Sequence, residues 1–304
     1  MNNTSSFRLR AILKFILIAF YALILISNAF GQTEANLLFN WNDNENIPEG
    51  WGGRYNDCWG FVHQGTEYGV IGSTLGTHII DLDRADSLSE VAFIPGRFSS
   101  NRVVHRDHHE YNGYLYAVCD QGASSLQVID VSQLPNDAPL VHDDSVNIMT
   151  AHNVFVDTAT NKLYTCGVRK PDFQGVPLQV WSIDDPERLE LIAEISEIEG
   201  VSIQYVHDLH VRNDTAFLNA GTQGLVIADM SDVQNPSLLG VLANYPDAGY
   251  NHSGWWNERG DRYYLADETH GMDIKIVDVS DIHNPKVIQL IEAESDPEGS
   301  VVHN

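Results

Sequence analysis

The chain has 304 residues, of which 43% are hydrophobic and 19% charged, enough apolar material for a large core and the wrong composition for a disordered or fibrous polymer. Its 42 acidic residues outnumber 17 basic ones, a formal net charge of −25, which excludes nucleic acid as a partner because phosphate binding depends on Lys and Arg. Three cysteines, Cys58, Cys119 and Cys166, form no CxxC pattern; the odd number leaves at least one thiol outside any intrachain disulfide, and nothing points to a thiol nucleophile.

Taken in chain order, residues 1–31 read as an export signal. Arg8, Arg10 and Lys14 lead into an apolar run from Phe15 to Ile26, and Ala29-Phe30-Gly31 offers small residues for cleavage. The run is shorter than the roughly 20 residues that span a bilayer, which favours a cleaved signal over a retained anchor. The mature chain is therefore expected to begin near Gln32, outside the cytoplasm. Residues 32–56 form a lead-in segment, and residues 57–304 repeat themselves.

Five stretches share one pattern: "EYGVIGSTLGTHIIDL", "YLYAVCDQGASSLQVIDV", "KLYTCGVRKPDFQGVPLQVWSI", "TAFLNAGTQGLVIADM" and "RYYLADETHGMDIKIVDV". Each has an aromatic-bearing apolar run, a Gly-containing turn and a second run rich in Ile and Val, the pattern of a β-hairpin. A further apolar run follows Pro139, Pro236 and Pro285, adding a third strand. A fourth precedes each hairpin. Aligned on Tyr68, Tyr116, Tyr164, Phe217 and Tyr264, these leading strands read "CWGFV", "RDHHE", "HNVFV", "HDLHV" and "HSGWW", and the final "VVHN" begins another copy. The recurring His152, His207, His252 and His303 are 55, 45 and 51 residues apart, the period of a four-stranded propeller blade. The expected fold is all-β: a β-propeller of four-stranded blades, with five complete repeats and the start of a sixth. Ending on the start of a repeat reads as a larger ring cut short. The propeller is expected to be a monomer.

In this register the equivalent positions are Cys58, Arg106, His152, His207, His252 and His303, followed by Trp59, Asp107, Asn153, Asp208, Ser253 and Asn304. Strand alternation prevents "HDLH" from closing on one ion by itself, since His207 and Leu209 face one way and Asp208 and His210 the other. If each leading strand is the innermost of its blade, however, the positions converge on the central channel. His152, Asn153, His207, Asp208, His252 and His303 are then candidate ligands for a divalent cation, the oxygen donors suiting calcium and the imidazoles zinc. The plainer reading is a packing device, because a packing problem recurs once per repeat whereas catalysis needs different residues in different roles.

A second candidate is "LADETHGMD", whose Asp267, Glu268, His270 and Asp273 replace the "GSTLG" and "GTQG" of other hairpins; a turn solving its own hydrogen bonding is the plainer account. "HRDHHEY", residues 105–111, reads as a solvated edge with its histidines split between faces. Trp51, Trp59, Trp255 and Trp256 read as filler between blades. No nucleophile elbow, phosphate loop, HExxH helix or calcium-loop consensus occurs.

"GLVIAD", "SLQVID" and "IKIVD" resemble the hairpins of LVIVD-repeat propellers. "YNDCWGF", "GSTLGTHIIDL", "YVHDLHVRNDTAFL", "GYNHSGWW" and "ADETHGMDIKIVDVSD" resemble the choice-of-anchor B family, over about Tyr55 to Asn304. The resemblance implies an exported, mainly bacterial propeller that usually continues to a C-terminal sorting or anchoring tail, so membrane attachment is expected only through the signal or such an anchor. It implies no established catalytic residues. The function expected first is a non-enzymatic binding module at the cell surface for an extracellular protein or glycan, contacted through loops such as 169–174 and 245–250. The alternatives are a metal-dependent hydrolase or lactonase-like enzyme with a cation at the channel mouth, and a purely structural envelope protein.

Overall fold

The computed structural model describes residue 37 and residues 40–83, 89–292, 299 and 301–303; the signal-peptide stretch 1–31 and Asn304 lie outside the described residues. Five four-stranded sheets follow one another along the chain, each an antiparallel meander in sequence order. Blade I comprises β1 (Tyr55–His63), β2 (Thr66–Ser73), β3 (Gly76–Asp81) and β4 (Ser89–Pro95). Blade II comprises β5 (Arg106–Tyr111), β6 (Tyr114–Cys119), β7 (Leu126–Asp130) and β8 (Leu140–Asp144). Blade III comprises β9 (Asn153–Asp157), β10 (Lys162–Arg169), β11 (Gly175–Ser182) and β12 (Glu190–Ile195), and is followed by a small hairpin, β13 (Glu197–Ile198) and β14 (Val201–Ser202). Blade IV comprises β15 (Asp208–Arg212), β16 (Thr215–Asn219), β17 (Leu225–Asp229) and β18 (Ser237–Leu242). Blade V comprises β19 (Asn251–Trp256), β20 (Arg262–Asp267), β21 (Ile274–Asp278) and β22 (Lys286–Ile291).

The repeated sequence signals have local causes. The aspartate closing the third strand turns its carboxylate onto the backbone two residues on: Asp130 Oδ1 accepts from Ser132 N at 2.8 Å, Asp229 Oδ1 from Ser231 N at 2.8 Å, and Asp278 Oδ1 from Ser280 N at 3.0 Å. Such an Asx turn ends the strand and starts the bend towards the proline-marked outer strand. In the "GTQG" turn Gly224 sits at φ +82, and an added Cβ would collide with the Leu242 carbonyl, so the outer strand fits only against glycine.

The innermost strands β1, β5, β9, β15 and β19 pack each against the next, so the sheets stand side by side around a common axis. The fold is a β-propeller. Its core is four apolar clusters, between blades I and II, II and III, III and IV, and IV and V. Tyr116, Tyr164, Trp181, Phe217 and Tyr263 are its largest fully buried apolar side chains, each worth about 1.5–3 kcal/mol. Trp181 also donates Nε1–H to Thr165 Oγ1 at 3.2 Å, and of the tryptophans expected as filler Trp59 and Trp256 pack against inter-blade clusters. Trp51 and Trp255 are not filler, being 76% and 52% exposed.

Blade I exposes Val62 and Phe93, and blade V exposes Tyr264, Ile288 and Ile291. Residues 301–303 run beside β19, where Ser253 Oγ donates to His303 O at 2.6 Å, the place expected for a further copy of the leading strand. Residues 41–54 of the lead-in pack on blade I: Ile47 is buried, and the Trp41 ring touches those of Tyr55 and His78.

One expectation is overturned here. "HRDHHEY" is not a solvated edge: it spans β5, the innermost strand of blade II, and Arg106, His108 and His109 are buried. The reason is position, because an innermost strand has a neighbouring blade on both faces and alternation exposes neither.

Candidate functional site: a tiered axial channel

Because the innermost strands run side by side, equivalent residues form tiers around the axis. The first tier is imidazole. His105, His152, His207, His252 and His303 follow one another ring against ring, with centroids 4.2, 4.1, 4.0 and 4.3 Å apart. His152, His207, His252 and His303 are thus brought together as expected. The blade II position belongs to His105, not Arg106, and Cys58 is exposed and takes no part.

The correction has a backbone cause. In blade II the strand is regular through 106–111, so His105 shares the face of Asp107 and His109. In blades III and IV the strand begins one residue after the histidine, and in blade V a bulge between Asn251 and Ser253 turns His252 inward. Arg106 instead reaches back to blade I, donating Nε–H to Ser73 O at 2.8 Å and Nη2–H to Phe98 O at 2.7 Å.

The second tier carries acids and amides. Asp57 enters it at a bulge in β1, with φ 31, and accepts His108 Nδ1–H at 2.9 Å. Asp107 accepts Val154 N–H at 2.6 Å. His105 Nε2–H donates to Asn153 Oδ1 at 3.1 Å, and Asn153 Nδ2–H to Asp208 Oδ1 at 2.9 Å, a relay across three blades. The third tier is aromatic: Trp59, His109, Phe155, His210 and Trp255, in successive ring contact at 4.3, 4.8, 5.1 and 4.5 Å. Trp59 belongs to this tier and not with Asp107, since the β1 bulge shifts blade I.

Burial sets the protonation of the channel. It lowers His105 to about 4, His207 to about 2 and His252 to about 3, with repulsion from neighbouring imidazoles adding to the effect. Asp208 is pushed up to about 6 by burial, against the hydrogen bonds from Asn153 and Leu209. Asp107 is raised well above the usual carboxylate range by burial and then by Asp57. At neutral pH the lowered imidazoles are uncharged, the form that coordinates metal. His207 Nδ1 and His252 Nδ1 are buried without a hydrogen-bond partner.

Glu268 completes the mouth. Its carboxylate lies 3.6 Å from His252 Nε2 and 3.9 Å from His303 Nε2, and His207, His252 and Glu268 each offer a donor atom within 4.8 Å of the others. Tetrahedral zinc sets its donors about 3.3 Å apart, so the three side chains would have to draw together to hold one. The rest of "LADETHGMD" behaves differently. Asp267 is fully buried, paired with Lys275 Nζ at 2.9 Å and accepting from Tyr245 Oη and Gly249 N, each at 2.9 Å. His270 is exposed and meets Gly299 O at 3.2 Å; Asp273, half-buried, is outside the donor cluster.

Sequence reasoning missed Asp120, whose Oδ2 accepts His152 Nδ1–H at 3.1 Å from the end of β6. It also gave no weight to Asp57, which a bulge aims into the channel. A groove of about 850 Å³ begins at Asp120 and Tyr205 and runs past Arg169 and Phe173, within the 169–174 loop expected to contact a ligand. Tyr205 lies 6.1 Å from the His207 ring, so the groove opens beside the imidazole tier.

Fold and channel together define a β-propeller with an axial histidine cluster. No protein-family model matches the chain, and no curated protein matches its sequence. Among solved structures it is similar to a functionally unknown protein from Desulfotomaculum acetoxidans, with TM-score 0.57 and 10% identity over 81% of this chain and 73% of that one. It is also similar to the periplasmic gluconolactonase PpgL of Pseudomonas aeruginosa, with TM-score 0.54 and 12% identity over 74% of this chain and 66% of that one. A Lactobacillus plantarum protein gives TM-score 0.52 and 13% identity over 79% of this chain and 67% of that one. The likeness is one of fold.

Proposed function

We propose that the protein holds a divalent transition-metal ion at the channel mouth, through His207, His252 and Glu268, and uses it on a small ester or lactone lying in the adjoining groove. The observation that carries the reading is the convergence of two neutral imidazoles and a carboxylate within 4.8 Å. Three protein donors leave a fourth position for water or a substrate oxygen, the arrangement of hydrolytic zinc sites. A cation held there would polarise a carbonyl and make water a better nucleophile. His152, oriented by Asp120 and 4.1 Å from the His207 ring, is the group placed to move a proton between water and leaving group. The lactonase named among the fold neighbours makes a lactone the first substrate class to try.

The proposal includes export, supported by the sequence of residues 1–31, and membership of the choice-of-anchor B family, supported by the motifs quoted above. A second reading, a non-enzymatic module for an extracellular protein or glycan, is favoured by one feature: Phe173 stands 71% exposed on the rim of the groove.

The test is elemental analysis of protein purified without a metal-affinity tag, with a His207→Ala/His252→Ala variant alongside and a screen of esters and lactones. One transition-metal ion per chain, lost in the folded variant together with turnover, is the expected result. Metal without turnover on any ester or lactone selects the binding module. Metal absent, or retained in the variant, overturns the proposed centre.

A further inference from the structure

The second and third tiers line a cavity of about 370 Å³, inside the range of small-molecule sites. Its acidic wall is Asp57, Asp107 and Asp208, and among the described residues none of the three is ion-paired to a Lys or Arg. Its aromatic wall is Trp59, Phe155 and Trp255, joined by Tyr264. His109 also lines the cavity; it is 6% exposed, and its Nδ1 has no hydrogen-bond partner. A buried donor or acceptor left without a partner costs on the order of 1–3 kcal/mol, so a ligand that pairs with this atom gains by doing so.

Each wall narrows the ligand. Burial raises Asp107 and Asp208 and weakens their share of the negative charge, yet with no Lys or Arg opposite, the wall still favours a positive charge over an anion. Aromatic faces attract a cation through their quadrupoles and cover an apolar body. Nδ1 of a neutral imidazole accepts one N–H, which a quaternary ammonium lacks and a protonated amine has. An inorganic ion is a poor fit, because the three carboxylates are not among the side chains whose donor atoms converge within 4.8 Å.

We infer that the axial cavity binds a protonated alkyl- or arylalkyl-amine, its ammonium group set between His109 and the carboxylates and its apolar body against Trp59, Phe155 and Trp255. The site shares no side chain with the metal centre at the mouth.

The probes are phenethylammonium, the neutral 2-phenylethanol and the anionic phenylacetate, titrated into EDTA-treated protein and read by tryptophan fluorescence and calorimetry. Phenethylammonium is expected to bind and to perturb Trp255, with the alcohol at least about tenfold weaker and the acid weaker still. Asp57→Asn, which keeps an acceptor for His108, is expected to weaken the amine about tenfold and leave the alcohol unchanged. Trp255→Leu, at a half-exposed position, is expected to weaken both. Equal binding of amine and alcohol, binding of the acid as tight as the amine, or no response to millimolar amine in folded protein overturns the inference.

Discussion

Replacing His109 with Phe isolates one buried imidazole. Blade III already carries Phe155 in the same tier, so the exchange keeps an aromatic ring in contact with Trp59 and Phe155. Burial, then repulsion from His210, lowers His109 to about 3, against 6.5 in the unfolded chain. Between those values the unfolded state binds a proton that the folded state refuses. The stability associated with neutral His109 is therefore fully present above pH 6.5 and falls as the pH drops towards 3. At pH 5 the loss is RT ln(1 + 10^1.5), about 2 kcal/mol. At pH 8 His109→Phe removes the unpartnered Nδ1 and is expected to unfold in urea within about 1 kcal/mol of the parent. At pH 5 the variant is expected to gain about 2 kcal/mol on the parent beyond that difference. Urea unfolding of both proteins at pH 8, 6.5 and 5 gives the comparison. A difference at pH 5 equal to that at pH 8 would refute the claim that His109 is held neutral by burial.

Three further perturbations test other parts of the fold. Asp267→Asn leaves Lys275 buried without its counter-charge and is expected to cost about 3–5 kcal/mol in urea unfolding, much of it recovered by adding Lys275→Met. Thiol titration is expected to find Cys58 alone reactive in the folded protein and all three cysteines in denaturant, since Cys119 and Cys166 are buried; two or more fast thiols in the native state would contradict this packing. Asp130→Ala removes the acceptor that closes β7 onto Ser132 and is expected to lower stability by about 1 kcal/mol, while Asp130→Asn retains most of it.

The propeller was legible in the sequence because its determinants are local and repeated: a glycine where an outer strand crowds the turn, an aspartate that folds back on its own backbone, an aromatic residue at one fixed place. Those signals located all five hairpins. The histidines at 152, 207, 252 and 303 were legible for the same reason. What escaped depends on backbone irregularities that leave no residue signature. A bulge aims Asp57 inward and displaces Trp59 to another tier. A strand starting one residue earlier puts His105 where the alignment placed Arg106. Asp120 reaches the mouth from the end of β6 and meets an imidazole 32 residues on, in the next blade, while Glu268 follows the end of β20 and meets His252 of the paired strand β19, 16 residues back, where a bulge turns that histidine inward. "HRDHHEY" was misread because polar residues were taken as a sign of solvent, whereas here they bond across blades, His108 to both Asp57 and Thr77.

The imidazole mouth takes one ring from each successive repeat, beginning with His105 of blade II. Its bore and its number of nitrogen donors are therefore tied together. Duplicating a repeat widens the opening and adds a donor in one step; deleting one narrows it and removes a donor. A substitution can retune a single position in such a rim, but only the repeat number resets size and chemistry at once, and it does so in whole units.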